Sequence, residues 1–134
     1  MSFLKLLKNN FYFAVAAIFF ITMIILSSIG DFERQLIWLL NDKLLHLLAY
    51  SILSVLIYIG LSGHLLSRIA LTFFVVSGLG AIDELIQNFF PQRDPSFDDW
   101  LVDCLGCIGT IGLMAVIQSF LPQKENDELD SDSD

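Results

Sequence analysis

The sequence predicts an all-α integral membrane protein that folds as a four-helix bundle with both termini in the cytoplasm. Hydrophobic residues make up 55% of its 134 residues, and the mean hydropathy is +0.69. Both values are high for a protein that must keep a polar surface in water. Four long apolar runs are separated by short polar segments. Backbone that contacts lipid must satisfy its hydrogen bonds internally, so each run is predicted to be a helix.

The four predicted spans cover residues 11–29, 44–62, 65–82 and 101–121. The first contains no charged residue and, at about 1.5 Å per residue, matches the hydrocarbon thickness of a bilayer. Lys5 and Lys8 precede it, as in a signal peptide, but the run is long and lacks a clear cleavage site, so we predict a retained span. Only a short turn around Gly63 separates the second and third spans, which should therefore be antiparallel neighbours.

Lys and Arg near the ends of the spans indicate the orientation, and the acidic tail indicates the domain limits. The basic residues on the side of the termini are Lys5, Lys8, Arg68 and Lys124, and those on the other side are Arg34, Lys43 and Arg93. This small excess favours cytoplasmic termini. Residues 122–134 form an acidic tail that cannot bury apolar surface and is predicted to be disordered, which leaves residues 1–121 as one transmembrane domain. The net charge is −8 and no basic stripe is present, which excludes a nucleic-acid partner.

Polar and charged residues crowd at one end of the second, third and fourth spans. They are Asp42, Lys43, His46 and Tyr50 around the start of span two, Asp83, Glu84 and Gln87 after span three, Arg93 in the next loop, and Asp99 and Asp103 around the start of span four. Pairs four residues apart, such as Asp42 and His46, share a helix face. A charge inside a membrane costs about 2.5–3.5 kcal/mol on insertion scales, so these residues need partners, water or a function. Because the two loops that flank these ends must lie on one side of the membrane, the three ends are predicted to form one polar pocket.

Each of these residues also has an ordinary structural interpretation. An acid such as Asp42 favours a helix N-terminus, Ser96 to Asp99 match a capping box, and Lys43 and Arg93 suit interfacial anchors. The cluster as a whole is harder to explain in this way, because it holds five acids against two fixed cations. Protons, water or a bound cation must balance that excess. A divalent cation is therefore allowed, although no dense metal-binding motif is present.

Small residues in spans three and four favour close helix packing. They are Gly106, Gly109, Gly112 and Ala115, at every third position of span four, and Ser77, Gly78, Gly80 and Ala81 late in span three. Cys104 and Cys107 have the C-x-x-C spacing of redox sites, but their apolar surroundings favour a packing role.

The order of these polar residues resembles the VanZ-like family of small membrane proteins. The resemblance is carried by Asp42-Lys43-x-x-His46-x-x-x-Tyr50, Asp83-Glu84-x-x-Gln87, Pro91-x-Arg93, Ser96, Asp99, Asp103 and Gly106, and it runs from Ser27 to Gly112. The family commonly carries Asn where this chain has Asp103, an exchange that adds a charge. The resemblance implies a multi-span envelope protein, and the namesake of the family is associated with teicoplanin resistance.

On this basis we expect a multi-pass protein of the cell membrane whose outward-facing pocket recognises, and in one version modifies, the headgroup of an envelope lipid or cell-wall precursor. The residues expected to take part in catalysis are His46, Asp42, Asp83, Glu84 and Asp99, and those expected to bind the ligand are Lys43, Arg93, Gln87, Tyr50 and Asp103. His46 would transfer a proton, and Asp42 would orient it by a hydrogen bond. Lys43 and Arg93 would hold anionic oxygens.

Two other functions are left open by the sequence. The first is a small proton-coupled transporter, since carboxylates and histidine in a membrane relay protons. The short chain and the lack of an inverted repeat count against it, although a homo-oligomer would supply a repeat. The second is a non-catalytic membrane interaction protein in which the charges form salt bridges between loops.

Overall fold

Four long α-helices account for nearly all of the chain that the structure describes. The structure, a computed structural model, describes residues 3–28, 41–89 and 96–120. The helices are α1 (Phe3–Ser28), α2 (Asp42–Gly60), α3 (Leu65–Gln87) and α4 (Phe97–Phe120). Each is long and apolar enough to cross a membrane. The predicted fold class, an all-α four-helix bundle of the membrane type, is confirmed. Arg93 and the tail at 122–134 lie outside the described residues.

The helices extend beyond the apolar runs at the polar ends. α3 continues to Gln87, whereas the predicted span ends at residue 82, so Asp83 lies on a regular helix. α4 begins at Phe97, ahead of the predicted start at residue 101, so Asp99 and Asp103 are both helical. The apolar run marks the part of a helix that contacts lipid, whereas backbone hydrogen bonding continues into the interface.

Successive helices run antiparallel, and α4 lies against both α2 and α3. The interface between α2 and α4 is the most extensive, and α1 packs on α2. The side-chain amide of Asn9 donates to Ser62 Oγ at 2.8 Å, which joins the N-terminal half of α1 to the C-terminal end of α2. The C-termini of α1 and α3 therefore lie with the N-termini of α2 and α4, as predicted. We call this end of the bundle the polar end.

One glycine allows the close approach of α4 to α2. A Cβ at Gly106 would lie 2.8 Å from the carbonyl oxygen of Leu47. The prediction of close helix packing is wrong at Gly109 and Gly112, because a Cβ at either position would have no neighbour within 4 Å. Three residues of an α-helix turn about 300°, which is about 60° short of a full turn. Residues repeated every three positions therefore rotate away from the helix interface after one step.

The apolar core lies between the helices, and the outer surface of the bundle is also apolar. The core includes Tyr50, Leu53, Ile57, Val76, Cys107 and Ile111. Cys107 is fully buried there, in the packing position that its apolar surroundings favour. Large exposed apolar side chains include Ile18, Leu48, Phe74 and Leu105, one on each helix. A surface of this kind suits contact with lipid.

Candidate functional site

A histidine and an aspartate join α2 to α4 at the polar end. His46 Nδ1 lies 2.9 Å from Asp103 Oδ1. His46 is 8% exposed and Asp103 is completely buried. We predicted that Asp42 orients His46, but the structure gives Nδ1 to Asp103 on the neighbouring helix. The two helices are parallel and in contact one turn further along, at Gly106, so the two side chains meet across the interface.

Tyr50 brings α3 into the same cluster. Its hydroxyl donates to Asp83 Oδ2 at 3.1 Å, and both side chains are buried. The ring of Tyr50 is parallel to that of His46, one helical turn away, with 6.1 Å between the ring centres. Tyr50 was predicted to bind a ligand, and in the structure its hydroxyl is committed to holding Asp83.

Glu84 caps the N-terminus of α4 from the neighbouring helix. The backbone N–H of Ser96 donates to Glu84 Oε2 at 2.9 Å, and Ser96 Oγ accepts from the N–H of Asp98 at 3.2 Å. In a capping box the Asp99 carboxylate would accept the bond from the Ser96 N–H. Because Glu84 takes it, the buried carboxylate of Asp99 is left for the interior of the site.

Gly80 makes room for the buried carboxylate of α4. A Cβ at this position would lie 2.9 Å from Asp103 Oδ2 and 3.3 Å from Trp100 Cδ1. The indole N–H of Trp100 donates to the carbonyl oxygen of Ser77 at 3.0 Å and so fixes α4 against α3. Gly78, which we grouped with Gly80 in the sequence, faces open space.

The fixed positive charge at this end lies at the rim. Lys43 Nζ is 3.6 Å from Asp98 Oδ2, and the two side chains are 53% and 69% exposed. The second predicted cation, Arg93, is outside the described residues. Within residues 41–89 and 96–120, the buried part of the site therefore contains carboxylates and one imidazole, with no Lys or Arg among them.

Several buried polar atoms of the site have no partner among the described protein atoms. They are Asp83 Oδ1, Glu84 Oε1, Gln87 Nε2 and Asp103 Oδ2. Buried polar atoms in native proteins are nearly always hydrogen-bonded, so unpaired ones need an explanation. Three of these residues are carboxylates whose other oxygen is held by the protein. Such oxygens are oriented in advance for a proton, a ligand or a metal ion.

Two sets of side chains are close enough together to hold a metal ion. His46, Glu84 and Asp103 each offer one ligand atom, and these atoms lie within 4.8 Å of one another. Asp42, His46 and Asp99 form a second set that meets the same limit. The structure thus brings together predicted site residues from the polar ends of α2, α3 and α4.

An open groove lies on the outer surface between α3 and α4, with Glu84 of the site in its lining. Its volume is about 460 Å³. The lining residues are Ala81, Glu84, Leu85, Asn88, Ser96, Phe97 and Trp100. Glu84 is the acid among them, and Leu85 and Phe97 are exposed apolar side chains.

A second polar cluster, at the opposite end of the bundle, was missed in the sequence. Arg68 donates to Gln118 Oε1 at 3.1 Å and to the carbonyl oxygen of Tyr58 at 2.9 Å. The Tyr58 hydroxyl donates to the same Gln118 oxygen at 2.9 Å. The signal was available, because Arg68 and Gln118 are polar residues inside or next to apolar runs. These bonds tie together α2, α3 and α4.

Comparison with models of known protein families found no match, and comparisons with curated proteins and with solved structures found no significant similarity. The resemblance to the VanZ-like family therefore stays a prediction. The chemistry of the polar end is the basis for assigning a function.

Proposed function

We propose that this chain is a VanZ-like multi-pass protein of the cell membrane whose polar site recognises the headgroup of an envelope lipid or of a lipid-linked cell-wall precursor. The groove between α3 and α4 is the observation that carries this proposal. It is open on the apolar outer surface, and Leu85 and Phe97 line it beside Glu84. A lipid whose chains lie against these two helices would bring its headgroup to the polar end from within the bilayer.

His46 is the residue best suited to move a proton at this site. A carboxylate that accepts a hydrogen bond from Nδ1 fixes the tautomer of the ring and leaves Nε2 for proton transfer. Asp103 makes that contact at 2.9 Å. With no metal ion bound, Asp103 is a positioning residue, and His46 accepts or delivers a proton on the headgroup. Lys43, at the rim, attracts anionic oxygens as the headgroup enters.

The same geometry gives less support to a proton-coupled carrier. The buried acids lie at the polar end, and a relay would need polar groups along the depth of the membrane. Ser54 and Thr72 are buried further along the helices, but each donates its hydroxyl hydrogen bond to its own helix, to the carbonyl oxygens of Tyr50 and Arg68. Proteoliposome uptake driven by a pH gradient would support the carrier over headgroup recognition.

A purely structural role for the charges is also less well supported. Salt bridges that tie loops together would pair each acid with a cation. Among the described residues, one ion pair joins a lysine or arginine to an acid. It is the pair of Lys43 and Asp98, at the exposed rim. The acids Asp83, Glu84 and Asp103 instead keep one buried oxygen each without a protein partner.

Fluorescence quenching by brominated lipids tests the proposed headgroup preference. The chain has two tryptophans, so a Trp38→Phe background leaves Trp100, which lines the groove, as the reporter. In phosphatidylcholine vesicles, brominated phosphatidylglycerol should quench Trp100 more strongly than brominated phosphatidylcholine at the same mole fraction. Unlabelled polyprenyl phosphate should relieve the quenching. Equal quenching by the two brominated lipids would contradict the proposal.

Matched variants separate the site from general lipid contact. His46→Gln should lower the preference for the anionic lipid, whereas Asp98→Asn, at the exposed rim, should keep most of it. In the cell, His46→Gln should change teicoplanin susceptibility and the profile of envelope lipids in the same direction as deletion. A stable His46→Gln protein with wild-type susceptibility and lipids would remove His46 from the function.

A further inference from the structure

Two carboxylates of the site are held in the same unusual way. Glu84 Oε2 accepts a hydrogen bond from the backbone of Ser96, and Asp103 Oδ1 pairs with His46. The second oxygen of each carboxylate, Glu84 Oε1 and Asp103 Oδ2, is buried and has no protein partner. Protein contacts therefore fix the direction of each carboxylate and leave one oxygen of each unused. For Glu84 this is the arrangement of an oriented metal ligand, whose other oxygen is held by a surrounding hydrogen bond. For Asp103 the partner is His46, so an ion that both residues bind would replace the hydrogen bond between them.

The distances fit one ion. One atom each from His46, Glu84 and Asp103 lies within 4.8 Å of the other two. Ligands placed 2.0–2.6 Å from a shared ion are separated by at most about 5 Å. We propose that His46, Glu84 and Asp103 form a binding site for one divalent transition-metal ion, Zn²⁺ or Mn²⁺. An imidazole beside two carboxylates favours these ions over Ca²⁺, which takes oxygen ligands.

The surroundings add two observations that favour a cation and its ligands. Asp83 adds a further carboxylate, with Oδ1 buried and unpaired. Gln87, one turn from both Asp83 and Glu84 on α3, has a buried amide nitrogen without a protein acceptor. An ion would offset the excess negative charge, and a water or headgroup oxygen bound to it would accept from the Gln87 amide.

The ion also supplies what an anionic headgroup needs. This role rests on the proposed function, whereas ion binding itself does not. The described part of the site places its lysine, Lys43, at the rim in contact with Asp98, and buries acids inside. Such an interior repels phosphate unless a cation lies between them. A divalent ion held by Glu84 and Asp103 would bind phosphate oxygens directly.

Metal titration of the untagged full-length protein in detergent tests the site. We expect saturable binding of Zn²⁺ and Mn²⁺ at one ion per chain by elemental analysis, with much weaker binding of Ca²⁺. Glu84→Gln and Asp103→Asn should each weaken Zn²⁺ binding by more than about tenfold. Asp98→Asn, which removes an exposed acid from the same helix end, should bind like the wild type. Binding that is absent in the wild type, or unchanged in both site variants, would overturn the inference.

A spectroscopic measurement avoids any loss of folding in the variants. The chain has two histidines, and His64 is exposed at the opposite end of the bundle, so His64→Gln leaves His46 as the remaining imidazole. Pulsed electron paramagnetic resonance of Mn²⁺ bound to this protein should show coupling to an imidazole nitrogen. Bound Mn²⁺ without that coupling would overturn the proposed site, because His46 would not be a ligand.

The two proposals fail in different ways. Saturable ion binding together with equal quenching of Trp100 by both brominated lipids would keep the metal site and reject headgroup recognition. A lipid preference that persists in the chelated protein, with no ion bound by the wild type, would keep headgroup recognition and reject the metal site.

Discussion

Replacing Gly106 by alanine should separate α2 from α4 at the level of the site. The new Cβ would lie 2.8 Å from the carbonyl oxygen of Leu47 and 3.2 Å from Ser51 Oγ. The serine hydroxyl can rotate away, but the carbonyl belongs to the backbone of α2. Carbon–oxygen contacts of this kind normally begin at about 3.3 Å, so the helices would have to move apart by about 0.5 Å.

The cost follows from two opposing effects. Overpacking of a well-filled interface destabilises a protein by about 1–3 kcal/mol. Alanine is a better helix former than glycine by about 0.5–1 kcal/mol, which offsets part of that cost. Gly109→Ala, on the same helix, should gain the second effect without the first, because its Cβ would have no neighbour within 4 Å. The difference in stability between the two variants should therefore be about 1–3 kcal/mol.

Unfolding by sodium dodecyl sulfate in mixed micelles, followed by far-ultraviolet circular dichroism, measures this difference. Gly106→Ala should unfold at a lower detergent fraction than the wild type, and Gly109→Ala at an equal or higher one. Equal midpoints for the two variants would refute the close contact between α2 and α4. The same contact aligns His46 with Asp103, so Gly106→Ala should also weaken Zn²⁺ binding.

Three further predictions follow from the polar end. Gly80→Ala should push the Asp103 carboxylate aside and lower Zn²⁺ affinity by about tenfold in a metal titration, whereas Gly78→Ala, which faces open space, should leave it unchanged. Tyr50→Phe should cost about 1–3 kcal/mol of unfolding free energy in the same detergent titration, because Asp83 Oδ2 loses its donor, and an unchanged midpoint would contradict that bond. Zn²⁺ at a hundred times its dissociation constant should stabilise the protein by about 2.7 kcal/mol, and a chelator should remove that gain. A thermal unfolding midpoint that changes with neither Zn²⁺ nor the chelator would contradict ion binding.

The number of helices and their directions could be predicted because lipid leaves few alternatives. Four apolar runs of sufficient length imply four helices, and an even number of crossings places the polar loops on one side. The faces were also predictable. Asp42, His46 and Tyr50 share one face because a helix repeats every 3.6 residues, and the structure brings two of these three into contact with acids of α3 and α4.

The pairing between helices could not be predicted in the same way. The chain sequence states which face of a helix is polar, but not how far each helix turns or slides against its neighbour. The sequence therefore predicts a hydrogen bond between His46 and Asp42, which lie within reach on the same helix, whereas the hydrogen bond in the structure joins His46 to Asp103. The glycines show the same limit, since Gly106 and Gly109 look equivalent in the chain and differ completely in their surroundings.

The position of α4 has a consequence for the biosynthesis of the protein. α4 is the last of the four described helices along the chain, yet it packs against both α2 and α3. Until it has been translated, His46 lacks Asp103 and Glu84 lacks the backbone of Ser96. A nascent chain halted after α3 would hold its acids in the membrane without these partners. Late assembly would make such unfinished chains recognisable to membrane quality control.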